Sequence, residues 1–261
     1  MKIIVCVKQV PDTWAEKRLD PATSRLDRAS GDAVLNELDE YAVEEALRIA
    51  EATAGSVTVV TMGPERAAEA LRKTLQMGAD AAVHLLDERL AGSDAVGTSY
   101  ALATLLAARE FDLVLLGSES TDARTSLLPA MLAERLGLPQ MTFAAQVEVD
   151  PVARTVRIHR QTEAGYDVVE GSMPAVVSVV EKINEPRYPS FKGIMAAKKK
   201  PLETVSLADA GIDPEQVGGD HAWSAVVDFA QRPPRGAGVV VSDDGQAAHQ
   251  LADFLAAEKL L

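Results

Sequence analysis

The sequence predicts an α/β fold: a doubly wound, mostly parallel sheet. Residues 3–7 form a continuous apolar run, typical of a parallel strand that is buried on both faces. Further strand-like runs lie at residues 56–61, 81–86 and 113–116. They alternate with amphipathic helical patterns near residues 36–52, 64–77, 93–108 and 126–136. This alternation predicts right-handed crossovers, with helices on both faces of the sheet.

The pattern changes after Pro139. Short strand-like runs at residues 146–149, 155–160 and 166–169 predict antiparallel additions to the sheet edge, leading to an apolar strand at 175–180. Residues 201–261 are irregular, with a short strand at 202–205, a helical turn at 206–210, a linker at 231–236 and a terminal amphipathic helix at 245–261. We therefore expect an α/β domain at 1–183, a recognition loop at 184–200 and a C-terminal arm at 201–261.

Composition narrows the function classes. The formal net charge of −13 argues against nucleic acid as a partner, because nucleic acid binding favours cations. The single cysteine, Cys6, excludes a disulfide framework and fits a reducing compartment. No apolar run approaches the roughly 18 residues that a membrane span needs. We expect a cytoplasmic protein without direct membrane insertion.

The best candidate binding site follows the fourth strand. Open parallel sheets bind ligands outside the carboxyl ends of their strands. Residues 117–126 offer small side chains, hydroxyls and backbone amides before a helix start, a place that favours a phosphate, and Arg124 adds positive charge. The alternative is an ordinary strand-to-helix turn, in which Asp122, Thr125 or Ser126 caps the helix.

Catalysis and metal binding find little support in the sequence. The four histidines match no metal-ligand spacing, and Cys6 lies in an apolar strand where a thiol is typically inert. No Gly-x-Gly-x-x-Gly follows the first strand, so a Rossmann dinucleotide site is not predicted.

Residues 184–200 form the most unusual stretch. Two prolines and a glycine interrupt regular structure around Phe191, Ile194 and Met195, and a short basic run closes the segment. An apolar tip followed by cations predicts a docking surface. The alternative is a loop that folds its apolar side chains back onto the body.

Short strings in this order resemble the beta (small) subunit of electron-transfer flavoproteins. They are Lys-Gln-Val-Pro-Asp at 8–12, Asn36 with Ala-Val-Glu-Glu-Ala at 42–46, Met-Gly-Ala-Asp at 77–80, Leu-Val-Leu-Leu-Gly at 113–117 with Thr121 and Asp122, Leu-Pro-Gln at 138–140, Pro-Ala-Val-Val at 174–177, and Asn-Glu-Pro-Arg-Tyr-Pro-Ser at 184–190 followed by Ile-Met and Ala-Lys-Lys-Lys. Each string is weak alone, but their order across two hundred residues is specific.

The resemblance implies a nucleotide-binding, adenine nucleotide hydrolase-like fold whose arm wraps an alpha subunit. In that family the beta subunit buries AMP and closes over FAD held mainly by the alpha subunit. The heterodimer carries electrons from acyl-CoA and similar dehydrogenases to a quinone reductase, and the beta subunit runs no reaction of its own.

Matching positions give the site residues that the resemblance implies. Thr13 would reach the flavin ring, and Tyr188, Phe191, Ile194, Met195 and Lys199 would dock the dehydrogenase. The nucleotide would lie on Cys6, Asn36, Glu37, Leu38, Asp39, Met62, Gly117, Ser118, Glu119, Ser120, Thr121, Asp122, Ala123, Arg124, Thr125, Ser126, Leu127 and Leu128, with adenine near Cys6, Asn36 and Met62 and the phosphate at 122–126.

The chain departs from the family pattern in the phosphate loop. Leu127 and Leu128 replace polar or small residues, Arg124 is unexpected, and Gln161 stands where a glutamate is usual. Two alternatives stay open: a bifurcating-type subunit with a second FAD in the nucleotide site, and a stand-alone nucleotide-binding signalling domain.

Overall fold

The computed structural model describes residues 1–28, 31–234, 236, 238, 240–243 and 245–260. Parts of three predicted segments lie outside the described residues: 29 and 30 in the loop before the first helix, 235 in the linker, and 237, 239, 244 and 261 in the arm. The chain divides into two compact units, Met1–Val227 and Asp228–Leu261.

Strands and helices alternate through the first half of the chain, as predicted. The strands are β1 (Lys2–Cys6), β2 (Gln9–Pro11), β3 (Ala33–Leu35), β4 (Ser56–Met62), β5 (Ala81–Leu85), β6 (Leu113–Gly117), β7 (Gln140–Asp150), β8 (Thr155–Thr162), β9 (Gly165–Ser172), β10 (Ala175–Val179) and β11 (Leu202–Val205). The α-helices are α1 (Glu37–Thr53), α2 (Ala68–Met77), α3 (Ala95–Ala107), α4 (Leu128–Leu136), α5 (Phe191–Ala197), α6 (Leu207–Ala210) and α7 (Ala247–Ala257).

Within the described residues, nine of these strands form one sheet in the order β11-β5-β4-β1-β6-β10-β7-β8-β9. Neighbours from β11 to β7 pair in parallel, and β8 and β9 add antiparallel pairs at one edge. β2 and β3 form a separate antiparallel pair. The predicted doubly wound α/β fold, with antiparallel strands at the edge, is confirmed.

The two faces of the sheet carry different cores. Alternate residues of β1 point to opposite faces, as strand geometry requires. Ile3 and Val5 pack with apolar residues of α1 and α2, while Ile4 and Cys6 pack with those of α3 and α4. Both faces are therefore covered, which explains why β1 reads as an uninterrupted apolar run.

Strand order places a topological switch next to β1. The chain steps outward from β1 to β4 and β5, then returns to lay β6 on the other side of β1. In open parallel sheets the crevice at such a switch, outside the carboxyl ends of the strands, is where ligands bind. Here that crevice lies beyond Cys6 and Gly117, the last residues of β1 and β6.

The second half of the chain adds two features to the predicted pattern. The strand predicted at 202–205 is β11, and it pairs with β5, so part of the predicted arm belongs to the sheet, and the first compact unit continues to Val227. The predicted recognition loop is partly helical, because Ser190 accepts a hydrogen bond from the Gly193 amide and starts α5 after the two prolines. None of the described helices has the length and apolar character needed to cross a bilayer.

Candidate functional site

The crevice beside β1 and β6 is built around the start of α1. Asn36 stands directly before this helix, and its backbone amide donates to the carbonyl of Lys8 at 2.9 Å. Its side-chain amide donates to the Glu119 carbonyl at 3.0 Å, and its side-chain oxygen accepts from the Thr121 amide at 3.0 Å. The two hydrogen-bonding atoms of this fully buried Asn36 side chain therefore both hold the loop after β6.

Asp39 joins the same two loops one turn further along α1. Its carboxylate accepts the Lys8 amide at 2.8 Å and the Gly117 amide at 3.2 Å. Burial raises the pKa of Asp39 to about 7, and these two amide hydrogen bonds oppose that rise. A side chain at Gly117 would place its Cβ 2.7 Å from the Asp39 carboxylate, so this close approach requires glycine.

Asp122 anchors the loop through charge. Its carboxylate, with a side-chain exposure of 0%, lies 2.8 Å from both the Lys8 ammonium and the Arg28 guanidinium. Burial works against ionisation, but the Lys8 charge and the hydrogen bonds from Lys8 and Arg28 outweigh it and lower the pKa of Asp122 to about 2. The Asp122 carboxylate therefore binds the Lys8 and Arg28 side chains at the crevice and would not contact a phosphate directly.

The segment between β2 and β3 supplies part of this charge. Arg28 comes from it, and so does Lys17, whose ammonium donates to the Thr121 carbonyl at 2.9 Å. Sequence patterns predicted Arg124 as the nearby cation and did not predict Lys17 or Arg28. Their only sequence signal is that basic residues occur in a long polar loop next to the predicted site.

The helix-capping alternative is not observed. Helix α4 begins at Leu128, and Leu127 before it provides no side-chain cap. The Ser126 hydroxyl instead donates to the Glu119 carboxylate at 3.1 Å, and Arg124 lies 3.5 Å from the same carboxylate. Arg124 and Ser126 have φ of 48° and 53°, so the loop takes an unusual path that ordinary capping does not require.

Two of the sequence-predicted site residues carry a buried hydroxyl without a hydrogen-bond partner among the described residues. Thr121 is 4% exposed, and its hydroxyl has no hydrogen-bond partner among the described residues. The Thr13 hydroxyl is buried and equally without a partner there. Because an unsatisfied buried hydroxyl costs about 1–3 kcal/mol, such groups call for an explanation, and a bound nucleotide is one.

The other sequence-predicted nucleotide residues spread around the crevice. Cys6 is buried, and burial raises the pKa of its thiol to about 12, which fits an inert core residue.

Met62 ends β4 and is half-buried, while Glu37 is exposed at the start of α1. Leu38 packs beside Gly117, and Ala123, Thr125 and Leu127 are exposed. The Ser118 amide donates to the Val179 carbonyl, and the Ser120 hydroxyl accepts from Lys8 at 3.4 Å. Their role in binding a nucleotide stays a prediction.

The predicted docking residues lie elsewhere, on the surface of α5 and the preceding segment. Phe191 is 82% exposed and Tyr188 is exposed almost completely, so neither folds into the core. Ile194, Met195 and Lys199 are exposed beside them. Among the residues that the structure describes, no group of three or more His, Cys, Asp or Glu side chains is placed to hold a metal ion.

Comparison with known proteins gives one consistent result. Residues 23–210 match the family model described as the electron transfer flavoprotein domain. The chain is 48% identical to the electron transfer flavoprotein subunit beta of Mycobacterium tuberculosis, with 99% of each chain covered. It is 36% identical to the protein of the same name from Megasphaera elsdenii over 100% of both chains. It is also 36% identical to the caffeyl-CoA reductase-Etf complex subunit CarD of Acetobacterium woodii, over 98% of this chain and 96% of CarD.

We expect Asp122→Asn to lower the free energy of unfolding by about 2–3 kcal/mol at pH 7. The folded pKa of about 2 lies below the ordinary value of 3.8, so the ionised carboxylate adds stability above about pH 4 and loses it as pH falls towards 2. Urea unfolding at pH 7, 4 and 3 should therefore show the gap between wild type and variant closing with acid. Asp220→Asn, at an exposed carboxyl, serves as the control. A gap that does not change with pH would contradict the charge-based role.

Proposed function

Because the chain belongs to the family of electron transfer flavoprotein beta subunits, we propose that it is the small subunit of a cytoplasmic heterodimeric electron carrier. In this proposal it binds AMP as a structural ligand and helps to enclose FAD held mainly by the alpha subunit. It docks acyl-CoA and similar dehydrogenases, whose electrons pass to the carrier and on to a quinone reductase. The chain runs no reaction of its own.

The buried, unpartnered Thr121 hydroxyl and the cations around Asp122 support the AMP assignment. Lys8, Lys17 and Arg28 surround the loop, and their charge suits a phosphate even after Asp122 takes up part of it. The polar side-chain atoms of Asn36 and Asp39 are already hydrogen-bonded to protein amides and carbonyls. The role of these two residues is therefore to shape the site. AMP would supply no redox chemistry; it would complete the hydrogen bonds of the crevice.

A second candidate is the bifurcating-type subunit, with another FAD in place of AMP. The similarity to a subunit of a caffeyl-CoA reductase-Etf complex supports this second candidate. The exposed Leu127 and the Arg124–Glu119 pair do not favour a flavin over a smaller nucleotide. The two candidates differ in nucleotide stoichiometry: one FAD and one AMP per heterodimer against two FAD.

The exposed tip around Phe191 is the observation that carries the docking function. Large apolar side chains at Tyr188, Phe191 and Met195 face water on one short segment. Lys192, Lys198 and Lys199 are exposed around them and have no carboxylate partner among the described residues. In a chain of net charge −13 this local excess of cations suits an apolar pocket rimmed by carboxylates.

We expect Phe191→Ala to raise the KM of the heterodimer roughly thirty-fold in a dehydrogenase assay, the size of effect seen for central apolar anchors. The flavin spectrum, nucleotide content and melting temperature should stay unchanged, because the side chain is 82% exposed. Val152→Ala, at an equally exposed apolar residue in the β7–β8 turn, is the matched control. A melting temperature lowered by several degrees with unchanged kinetics would refute docking at this position.

The second compact unit is proposed to wrap the alpha subunit. Its helix α7 exposes Leu251 and Phe254 and has no buried residue among those described. A helix of 11 residues with an apolar stripe is marginal in water unless that stripe is covered.

We expect a chain that ends at Arg235 to bind the alpha subunit at least tenfold more weakly, since the lost contacts include two large apolar side chains. The circular dichroism of the α/β body should change little. Leu251→Ser with Phe254→Ser in the full-length chain tests the same contacts without truncation. A dissociation constant equal to that of wild type in both variants would overturn the assignment.

A further inference from the structure

The docking segment is fastened to the α/β body at its beginning. Arg187 bonds both oxygens of Glu44, at 2.7 and 3.0 Å, and its backbone amide also donates to that carboxylate at 3.1 Å. The same guanidinium reaches Glu51, two turns further along α1, at 2.5 Å. Asn184 adds hydrogen bonds to the Tyr41 carbonyl and the Glu45 carboxylate.

The ion pair between Arg187 and Glu44 is largely shielded from water. The Glu44 side chain is only 7% exposed, and the Arg187 side chain is one-third exposed. A planar guanidinium that grips a shielded carboxylate with two bonds has little freedom to turn. The backbone at Arg187 is therefore fixed on α1, four residues before Phe191.

A second attachment closes the segment. The Lys200 ammonium donates to the carbonyls of Leu75 and Gly78 at 3.0 and 2.9 Å, at the end of α2. The last carbonyls of a helix lack intrahelical partners and carry partial negative charge, so a cation is favoured there. Helix α5 also lies directly on this end of α2: a Cβ at Gly193 would be 2.5 Å from the Gln76 carbonyl oxygen.

Between the two attachments, the side chains of Tyr188 and Phe191 do not take part in holding the segment, whereas Ala197 packs against the core. Phe191 and Tyr188 are exposed, while Arg187 and Lys200 direct their polar atoms into the body. The residues that hold the segment are thus different from those that would touch a partner. A binding surface fixed in advance loses less conformational freedom on association than a flexible one.

We propose that Arg187 and Lys200 are positioning residues that hold residues 184–200 in the docking conformation before a dehydrogenase arrives. The proposal rests on the docking function proposed above. It attributes part of the affinity to contacts that lie within this chain, remote from the partner.

Two variants test it in the intact heterodimer. Lys200→Met removes the second attachment and keeps the length of the side chain. Glu44→Gln with Arg187→Met removes the first without leaving an unpaired buried carboxylate, which would destabilise the fold. Lys182→Met is the matched control, since Lys182 is 83% exposed and its nearest charge is its neighbour Glu181.

We expect amide hydrogen exchange of residues 193–197 to become about tenfold faster in both variants, with β1 and β6 unchanged. The KM of the carrier should rise about fivefold or more at constant kcat, because the anchor is less often in place. In a Phe191→Ala background the same changes should cause a smaller loss than in the wild type, since a missing anchor cannot be misplaced. A merely stabilising role would not reduce the effect in that background.

The positioning role would be wrong if Phe191→Ala raises KM but amide exchange is unchanged in both variants. It would also be wrong if exchange becomes faster and KM stays at the wild-type value. Losses that add fully in the Phe191→Ala background would also overturn it. If Phe191→Ala itself leaves KM unchanged, the docking function is wrong, and the inference about affinity falls with it.

Discussion

The arrangement of the site depends on one link: the side chains at the start of α1 tie the carboxyl ends of β1 and β6 together. Asn36 and Asp39 satisfy backbone groups of both loops at the switch point of the sheet. Without them, the loop after β6 would have to satisfy those buried amides and carbonyls elsewhere. Asp122 then adds a charged link to Lys8 and Arg28, so the crevice is formed by the chain itself, and the buried Thr121 hydroxyl of the same loop has no hydrogen-bond partner among the described residues.

The same helix, α1, also holds a segment at the surface of the protein. Its first turn shapes the crevice, while Glu44 and Glu51 further along hold the docking segment through Arg187. The proposed nucleotide site and the proposed docking surface thereby share one helix. Electron transfer between transient partners benefits from a rigid docking surface, because each encounter then meets a surface that is already in its binding conformation.

Sequence patterns predicted the sheet core well and its long-range contacts poorly. The apolar run of β1 and the glycines that end the helices are local signals, and the structure follows them. The placement of β10 between β6 and β7, and of β11 beside β5, depends on contacts between distant segments that periodicity does not encode. For the same reason the loop at 117–126 was predicted, whereas its partners Lys17 and Arg28 were missed. The helix α5 was hidden by the prolines that precede it.

Nucleotide analysis of the purified heterodimer is the most direct test of whether the crevice holds AMP. The complex is denatured, and the released nucleotides are separated and quantified for the wild type and for Thr121→Val, which removes the unpartnered hydroxyl at nearly constant volume. We expect one FAD and one AMP per wild-type heterodimer, and less AMP with unchanged FAD in the variant. Two FAD per heterodimer, or AMP fully retained in the variant, would show that AMP does not bind in the crevice as proposed.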